Sequence, residues 1–212
     1  MTPRTVREQI AGPAGRVECA IDRPQTAPIG LAVVCHPHPQ GGGTLDNKVA
    51  QTIARACLDV GWASVRFNFR GVGASEGAWD DGRGEVDDAL AVIAAWRGRD
   101  EFAGKPLLLG GFSFGGYVAV EAASRLGADA RPLRIVLVAP SVEKQAVRDV
   151  PPDTVVVHGE SDELVPLAAA FAWARPQGLP VIVFPGVGHF FHGQIALLKK
   201  VLVRELRDLA AV

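Results

Sequence analysis

From about residue 29 onward, short runs of Val, Leu, Ile and Ala alternate with amphipathic stretches, and this alternation constrains the fold more than any other property of the chain. The runs at 30–36 (GLAVVCH), 63–70 (ASVRFNFR), 106–110, 134–138, 154–158 and 181–184 have the length and composition of buried strands. Between them, 47–60 (NKVAQTIARACLDV), 85–96 (EVDDALAVIAAW), 114–126, 167–174 and 193–209 carry helical spacing. Asp46 or Asn47 is placed to cap the first of these helices. The second has acidic residues in its first turn, where the helix dipole favours them. Strands that are apolar almost throughout must be covered on both faces. The pattern therefore predicts an α/β fold with a mostly parallel, doubly wound sheet. An earlier run, 16–21 (RVECAI), is expected to pair antiparallel at one edge.

At 212 residues the chain is expected to form a single domain, 1–212, large enough to bury a core. A net charge of −1 supplies no field for nucleic acid or anionic lipid. No apolar run approaches the roughly 20 residues of a membrane span, and residues 1–8 (MTPRTVRE) lack the apolar stretch of a secretory leader. The expectation is a cytoplasmic protein with neither nucleic-acid nor membrane partners. Cys19, Cys35 and Cys57 are an odd set without CxxC spacing, so buried, reduced thiols are expected.

In a sheet of this kind ligands gather at the carboxyl ends of the strands. Reactive residues should therefore follow strands directly, as His36, Arg70, Ser113, Asp162 and His189 do. Ser113 lies in Gly111-Phe112-Ser113-Phe114-Gly115, a G-x-S-x-G pentapeptide between a strand and a helix. Such a turn lifts one hydroxyl out of the sheet, and glycines flank it where strand and helix approach too closely for side chains. A serine hydroxyl needs a base within hydrogen-bond reach, and the base needs a third group to hold its tautomer. After the last strand, 184–192 (FPGVGHFFH) offers His189, in the loop behind a glycine, as the better base; His192 lies nearer the last helix, placed to cap it or line the pocket. The loop 158–166 (HGESDELVP) offers three competing carboxylates, Glu160, Asp162 and Glu163.

A tetrahedral intermediate also needs N–H donors. One is the Phe114 N–H at a helix N-terminus. The second should come from 36–44 (HPHPQGGGT), where Pro37 and Pro39 have no N–H. His38 is then the earliest donor, with Gln40 or Gly41 behind it. His36 and His38 do not extend into a metal-ligand pattern, because Gln40 and Gly41 stand where further ligands would be needed. No metal and no cofactor are expected, and His36 is expected to brace its loop through backbone hydrogen bonds. The loop 70–77 (RGVGASEG) contains G-x-G but neither G-x-G-x-x-G nor a Walker lysine, and reads as a packed loop bordering the site.

Taken together, HPHPQGGGTLDNK at 36–48, NFRGVGASEG at 68–77, GFSFGG at 111–116, HGESDELVP at 158–166 and GHFFHG at 188–193 are collinear and span most of the chain. In that combination the chain resembles the α/β-hydrolases, and more closely the small lidless serine hydrolases related to dienelactone hydrolase. The resemblance implies a triad on Ser113, Asp162 and His189, selecting Asp162 from the three carboxylates, with oxyanion donors on Phe114 and His38. Dienelactone hydrolase itself carries a cysteine nucleophile where this chain has Ser113. In this fold a lid is commonly inserted before the strand that carries the acid, and here only 139–153 is available for it. The expected site is open, walled by some of Phe112, Phe114, Trp79, Tyr117, Phe190 and Phe191, with His192 beside them. An apolar groove of that kind suits short acyl esters or thioesters better than long triglycerides. The expected function is a serine esterase that turns over a small-molecule acyl substrate through an acyl-enzyme. The competing reading is a small-ligand-binding protein on the same scaffold, without turnover.

Overall fold

A computed structural model of the chain describes residues 5–211; residues 1–4, the start of the segment read for a leader, and Val212 lie outside it. Eight strands form one sheet: β1 (Val6–Gly12), β2 (Gly15–Asp22), β3 (Leu31–Cys35), β4 (Ala63–Phe67), β5 (Leu107–Phe112), β6 (Arg134–Val138), β7 (Val155–Gly159) and β8 (Ile182–Phe184). Their spatial order is β1-β2-β4-β3-β5-β6-β7-β8. From β4 across to β8 every pairing is parallel, while β1–β2 and β2–β4 are antiparallel. This is the mostly parallel α/β sheet that the alternation predicts.

The five α-helices are α1 (Lys48–Asp59), α2 (Arg83–Arg97), α3 (Phe114–Arg125), α4 (Leu167–Ala174) and α5 (Ile195–Glu205). Alternate strand residues face opposite cores. Ala32 and Val34 of β3 join Ile53 of α1 and Leu198 and Leu202 of α5 on one face. Leu31 and Val33 join Val92 of α2 and Val118 of α3 on the other. Asn47, not Asp46, caps α1: its side-chain oxygen accepts from the N–H groups of Val49 and Ala50 at 2.9 and 3.2 Å. Cys19, Cys35 and Cys57 are buried free thiols, and burial pushes Cys19 and Cys57 up to about 12.

The run at 16–21 does pair antiparallel, but not at the edge. β1 lies outside it, joined through a tight turn between Gly12 and Gly15. β1 leaves no hydrophobic signature because its residues alternate only between exposed and half-buried. Backbone pairing, not a buried face, holds it in place. Among the described residues no helix is long and apolar enough to cross a membrane.

Candidate active site

The chain turns opposite ways on the two sides of β3: β4 lies on one side and β5 on the other. A crevice opens at the carboxyl ends of strands where such a reversal occurs. Cys35 is paired with Gly111, so the loop after β3 and the turn after β5 emerge side by side. That register brings the His38 segment next to Ser113.

Ser113 has φ 55° and ψ −120°, a left-handed conformation that costs a non-glycine residue about 1–3 kcal/mol. Two glycines make the turn possible. A Cβ on Gly111 would sit 2.2 Å from the Gly115 carbonyl oxygen, and one on Gly115 would sit 2.3 Å from that of Cys35. The turn is tied down by hydrogen bonds from Ser113 N–H to Val138 O at 3.0 Å and from Ser141 N–H to Ser113 O at 3.2 Å.

Three sequence-distant side chains meet at this turn. His189, in the loop after β8, lies with Nε2 2.9 Å from Ser113 Oγ and Nδ1 2.6 Å from Asp162 Oδ2. With Nδ1–H donating to the carboxylate, Nε2 is left to accept from the serine hydroxyl. Asp162 follows β7, and its other oxygen accepts from the N–H groups of Leu164 and Val165 at 2.9 and 2.8 Å. Burial works to raise this carboxyl, but the bonds from His189, Val165 and Leu164 outweigh it and hold it below the usual carboxylate range. Of the competing carboxylates, Glu160 accepts from Gly186 N–H at 2.7 Å, and Glu163 is exposed in a neighbouring depression. His192 is also exposed and lines that depression beside Phe190; the N-cap position of α5 is held by Gln194, without a side-chain capping bond.

A cavity of about 380 Å³ opens over Ser113, and both His38 and Phe114 line it. Among the described residues, neither the His38 N–H nor the Phe114 N–H donates to a protein acceptor. The carbonyl of His38 accepts from Gly41 and Gly43, each at 3.0 Å, which locks the turn that presents its N–H. His36, fully buried, anchors the same loop: Nδ1–H donates to Pro37 O at 2.6 Å and Nε2 accepts from Phe69 N–H at 3.1 Å. Burial pushes its imidazole down to about 4, against the opposing pull of the Pro37 carbonyl. Arg70 faces away from this chemistry, in a two-pronged pair with the buried carboxylate of Asp88 at 2.9 and 3.1 Å.

The expected aromatic wall is largely absent. Phe112 and Phe191 are fully buried: Phe112 packs under the His189 ring at 4.9 Å and Phe191 against Phe184 at 5.4 Å. Trp79 and Tyr117 form a second layer, Trp79 against His38 at 4.6 Å and Tyr117 against Phe114 at 5.9 Å. Phe190, partly exposed, lines the neighbouring depression. Of the six aromatics only Phe114 lines the Ser113 cavity, whose other walls include Gln40, Ser141, Lys144 and Gln145. Ser141, Lys144 and Gln145 come from 139–153, where a lid would be inserted; this segment has turns but no helix or strand. Sequence reasoning passed over them because SVEKQ reads as a solvated loop.

The model of the family described as alpha/beta hydrolase fold matches residues 33–154. An α/β serine hydrolase homologue from Coxiella burnetii is 37% identical, with a TM-score of 0.85 over 95% of this chain and 97% of that one. An α/β serine hydrolase without a lid from Xanthomonas campestris is 34% identical, with a TM-score of 0.89 over 99% and 96% of the two chains. An uncharacterised protein of Rickettsia prowazekii is 39% identical over 114 residues, 54% of this chain and 48% of that protein. The match thus takes in about half the length of that relative. With more than half of its residues inside the family model and its sheet shared with a lidless serine hydrolase, this chain belongs to the α/β-hydrolase fold family.

Proposed function

We propose that this protein is a serine hydrolase of the carboxylesterase type, acting on short acyl esters or thioesters through an acyl-enzyme. The observation that carries the reading is the relay Ser113–His189–Asp162, with contacts of 2.9 and 2.6 Å, beneath a cavity lined by His38 and Phe114, whose backbone N–H groups donate to no described acceptor. His189 takes the Ser113 proton as Oγ attacks the acyl carbonyl. The developing oxyanion is held by the N–H groups of Phe114 and His38, and each such donor is worth about 10²–10³ in turnover. His189 then protonates the leaving alcohol or thiol. A water activated by the same imidazole releases the acid, and Asp162 stabilises the imidazolium in both halves. The similar structures from Coxiella burnetii and Xanthomonas campestris are described as a serine hydrolase homologue and a serine hydrolase, which supports the reading.

Reaction with a fluorophosphonate probe tests it. A single adduct mapping to Ser113, absent in Ser113→Ala, is expected, together with turnover of short p-nitrophenyl esters. No labelling, or labelling that survives Ser113→Ala, refutes the assignment. Retention of a small ligand without turnover would identify the binding-protein reading instead.

A further inference from the structure

The Ser113 cavity contains one side chain that the proposed chemistry does not use. Lys144 is the one residue among Lys, Arg, Asp and Glu that lines it, and no described carboxylate lies within ion-pairing distance of its ammonium. This lysine does not ride on a loose strap. Its turn is fastened to the elbow through Ser141 N–H on Ser113 O, and Gln145 N–H returns to Ser141 O at 3.1 Å. Further along, Trp173 Nε1–H donates to Val147 O at 3.1 Å, and Arg148 pairs with Glu121 at 2.8 Å. The backbone of Lys144 is therefore held at the cavity wall while its head is free to meet a ligand.

The surroundings favour an anion on this side of the site. Ser141 and Gln145 line the same cavity. Neither the Ser141 hydroxyl nor the Gln145 side-chain N–H groups donate a hydrogen bond among the described residues, so both can donate to an anion, which a purely aliphatic acyl chain would not use. Lys144 also acts on a neighbour in the cavity wall: burial first and Lys144 second hold the His38 imidazole below its ordinary value, opposed by Glu85. The nearby negative charges are placed elsewhere. Asp162 is committed to His189 and two backbone N–H groups, Glu143 does not line the cavity, and Glu163 lines the depression on the far side of Leu164.

We propose that Lys144 is a specificity-determining residue, and that the substrate class of this site is esters or thioesters carrying an anionic group, a carboxylate or a phosphate, close to the reacting carbonyl. The inference rests on the serine-hydrolase reading above. It replaces the apolar acyl preference expected from the sequence with an acidic one.

Two matched substrate pairs test it. In the first, 4-nitrophenyl hydrogen glutarate against 4-nitrophenyl methyl glutarate, the charge is on the acyl portion. In the second, 4-acetoxybenzoate against its methyl ester, the charge is on the leaving group. The quantity read is the ratio of kcat/KM, charged over neutral, in wild type, Lys144→Met and Lys144→Glu. Intrinsic reactivity cancels when the ratio is compared between proteins. In at least one pair the ratio should fall about three- to tenfold in Lys144→Met, the range of an ion pair at a partly exposed site, and further in Lys144→Glu. The wild-type ratio should also decline as salt rises from about 20 mM to about 500 mM, because the attraction is screened. Ratios that agree within twofold across all three proteins in both pairs overturn the inference while leaving the hydrolase reading intact. Absence of turnover for all four esters overturns the hydrolase reading, and this inference with it. Lys144 is exposed, so neither variant threatens the fold.

Discussion

Acid should loosen the loop that presents the His38 N–H, and His36 sets the pH at which it does so. In the folded protein both ring nitrogens of His36 are committed in a way that only the neutral imidazole satisfies: Nδ1–H donates to Pro37 O, and Nε2 accepts from Phe69 N–H. A second proton would set an N–H against the Phe69 N–H inside the core. The imidazole accordingly lies at about 4, down from the usual 6.5. The unfolded chain therefore binds the extra proton first. The stabilisation is fully present above about pH 6.5 and is lost as the pH falls towards about 4; at roughly 1.4 kcal/mol per unit this amounts to about 3 kcal/mol. About 2.5 kcal/mol of it is gone by pH 4.5. His36→Asn keeps an acceptor for Phe69 and cannot take the proton. Urea unfolding followed by tryptophan fluorescence reports the outcome, since Trp62 and Trp96 are fully buried. The variant should be less stable than wild type by about 1–3 kcal/mol near pH 7.5. That gap should then shrink by about 2.5 kcal/mol near pH 4.5. Acid losses from Asp162 and His158 occur in both proteins and cancel in the difference. A gap that stays constant across this range would refute the argument.

Asp162→Asn should leave the fold intact and reduce kcat by about 10³–10⁴ in p-nitrophenyl ester assays, because an amide can present its N–H to His189 and select the wrong tautomer. Gly115→Ala should cost more than about 3 kcal/mol in denaturant titration, since its Cβ meets the Cys35 and His36 carbonyl oxygens at 2.3 and 2.4 Å and neither can yield without moving β3. Arg70→Ala should destabilise by about 3–5 kcal/mol on the same titration, because the buried Asp88 loses its counter-charge and keeps only the backbone N–H of residue 70.

The fold was legible because the sheet is buried on both faces. Each strand from β3 to β7 is mostly apolar and has no exposed position, and the helices between them carry amphipathic spacing. β1 was not legible for the opposite reason: its side chains bury little, and its place is decided by hydrogen bonds to β2. The expected strand at 63–70 also ran too far. It stops at Phe67; Asn68 keeps one bond to β2, its N–H donating to Glu18 O at 2.9 Å, but its side chain turns to the next loop and accepts from Leu45 N–H at 2.8 Å. Helix ends were less sharp than their middles: α2 begins at Arg83, two residues before the expected start, because Glu85 reaches back to the Gly82 and Asp80 N–H groups at 2.8 and 3.0 Å.

At the site, residue type and chain order were enough to single out Ser113, His189 and a group of three carboxylates, because the chemistry demands a hydroxyl, an imidazole and an acid on strand ends. Prolines at 37 and 39 were enough to point at the His38 N–H, because they remove their own donors. What lines the cavity was decided only in three dimensions. Whether Phe112 faces a substrate or the core depends on which side of β5 it occupies, and alternation puts it with the buried residues of the α1–α5 face. Whether Lys144 is one more solvated charge or part of a wall depends on where the chain between β6 and β7 crosses the sheet end, and the Ser141 N–H bond to Ser113 O brings it over the elbow. A sequence records which groups a chain possesses and which faces must be hidden from water; which of those groups share one cavity follows from strand order and loop path, set by the packing of the whole chain.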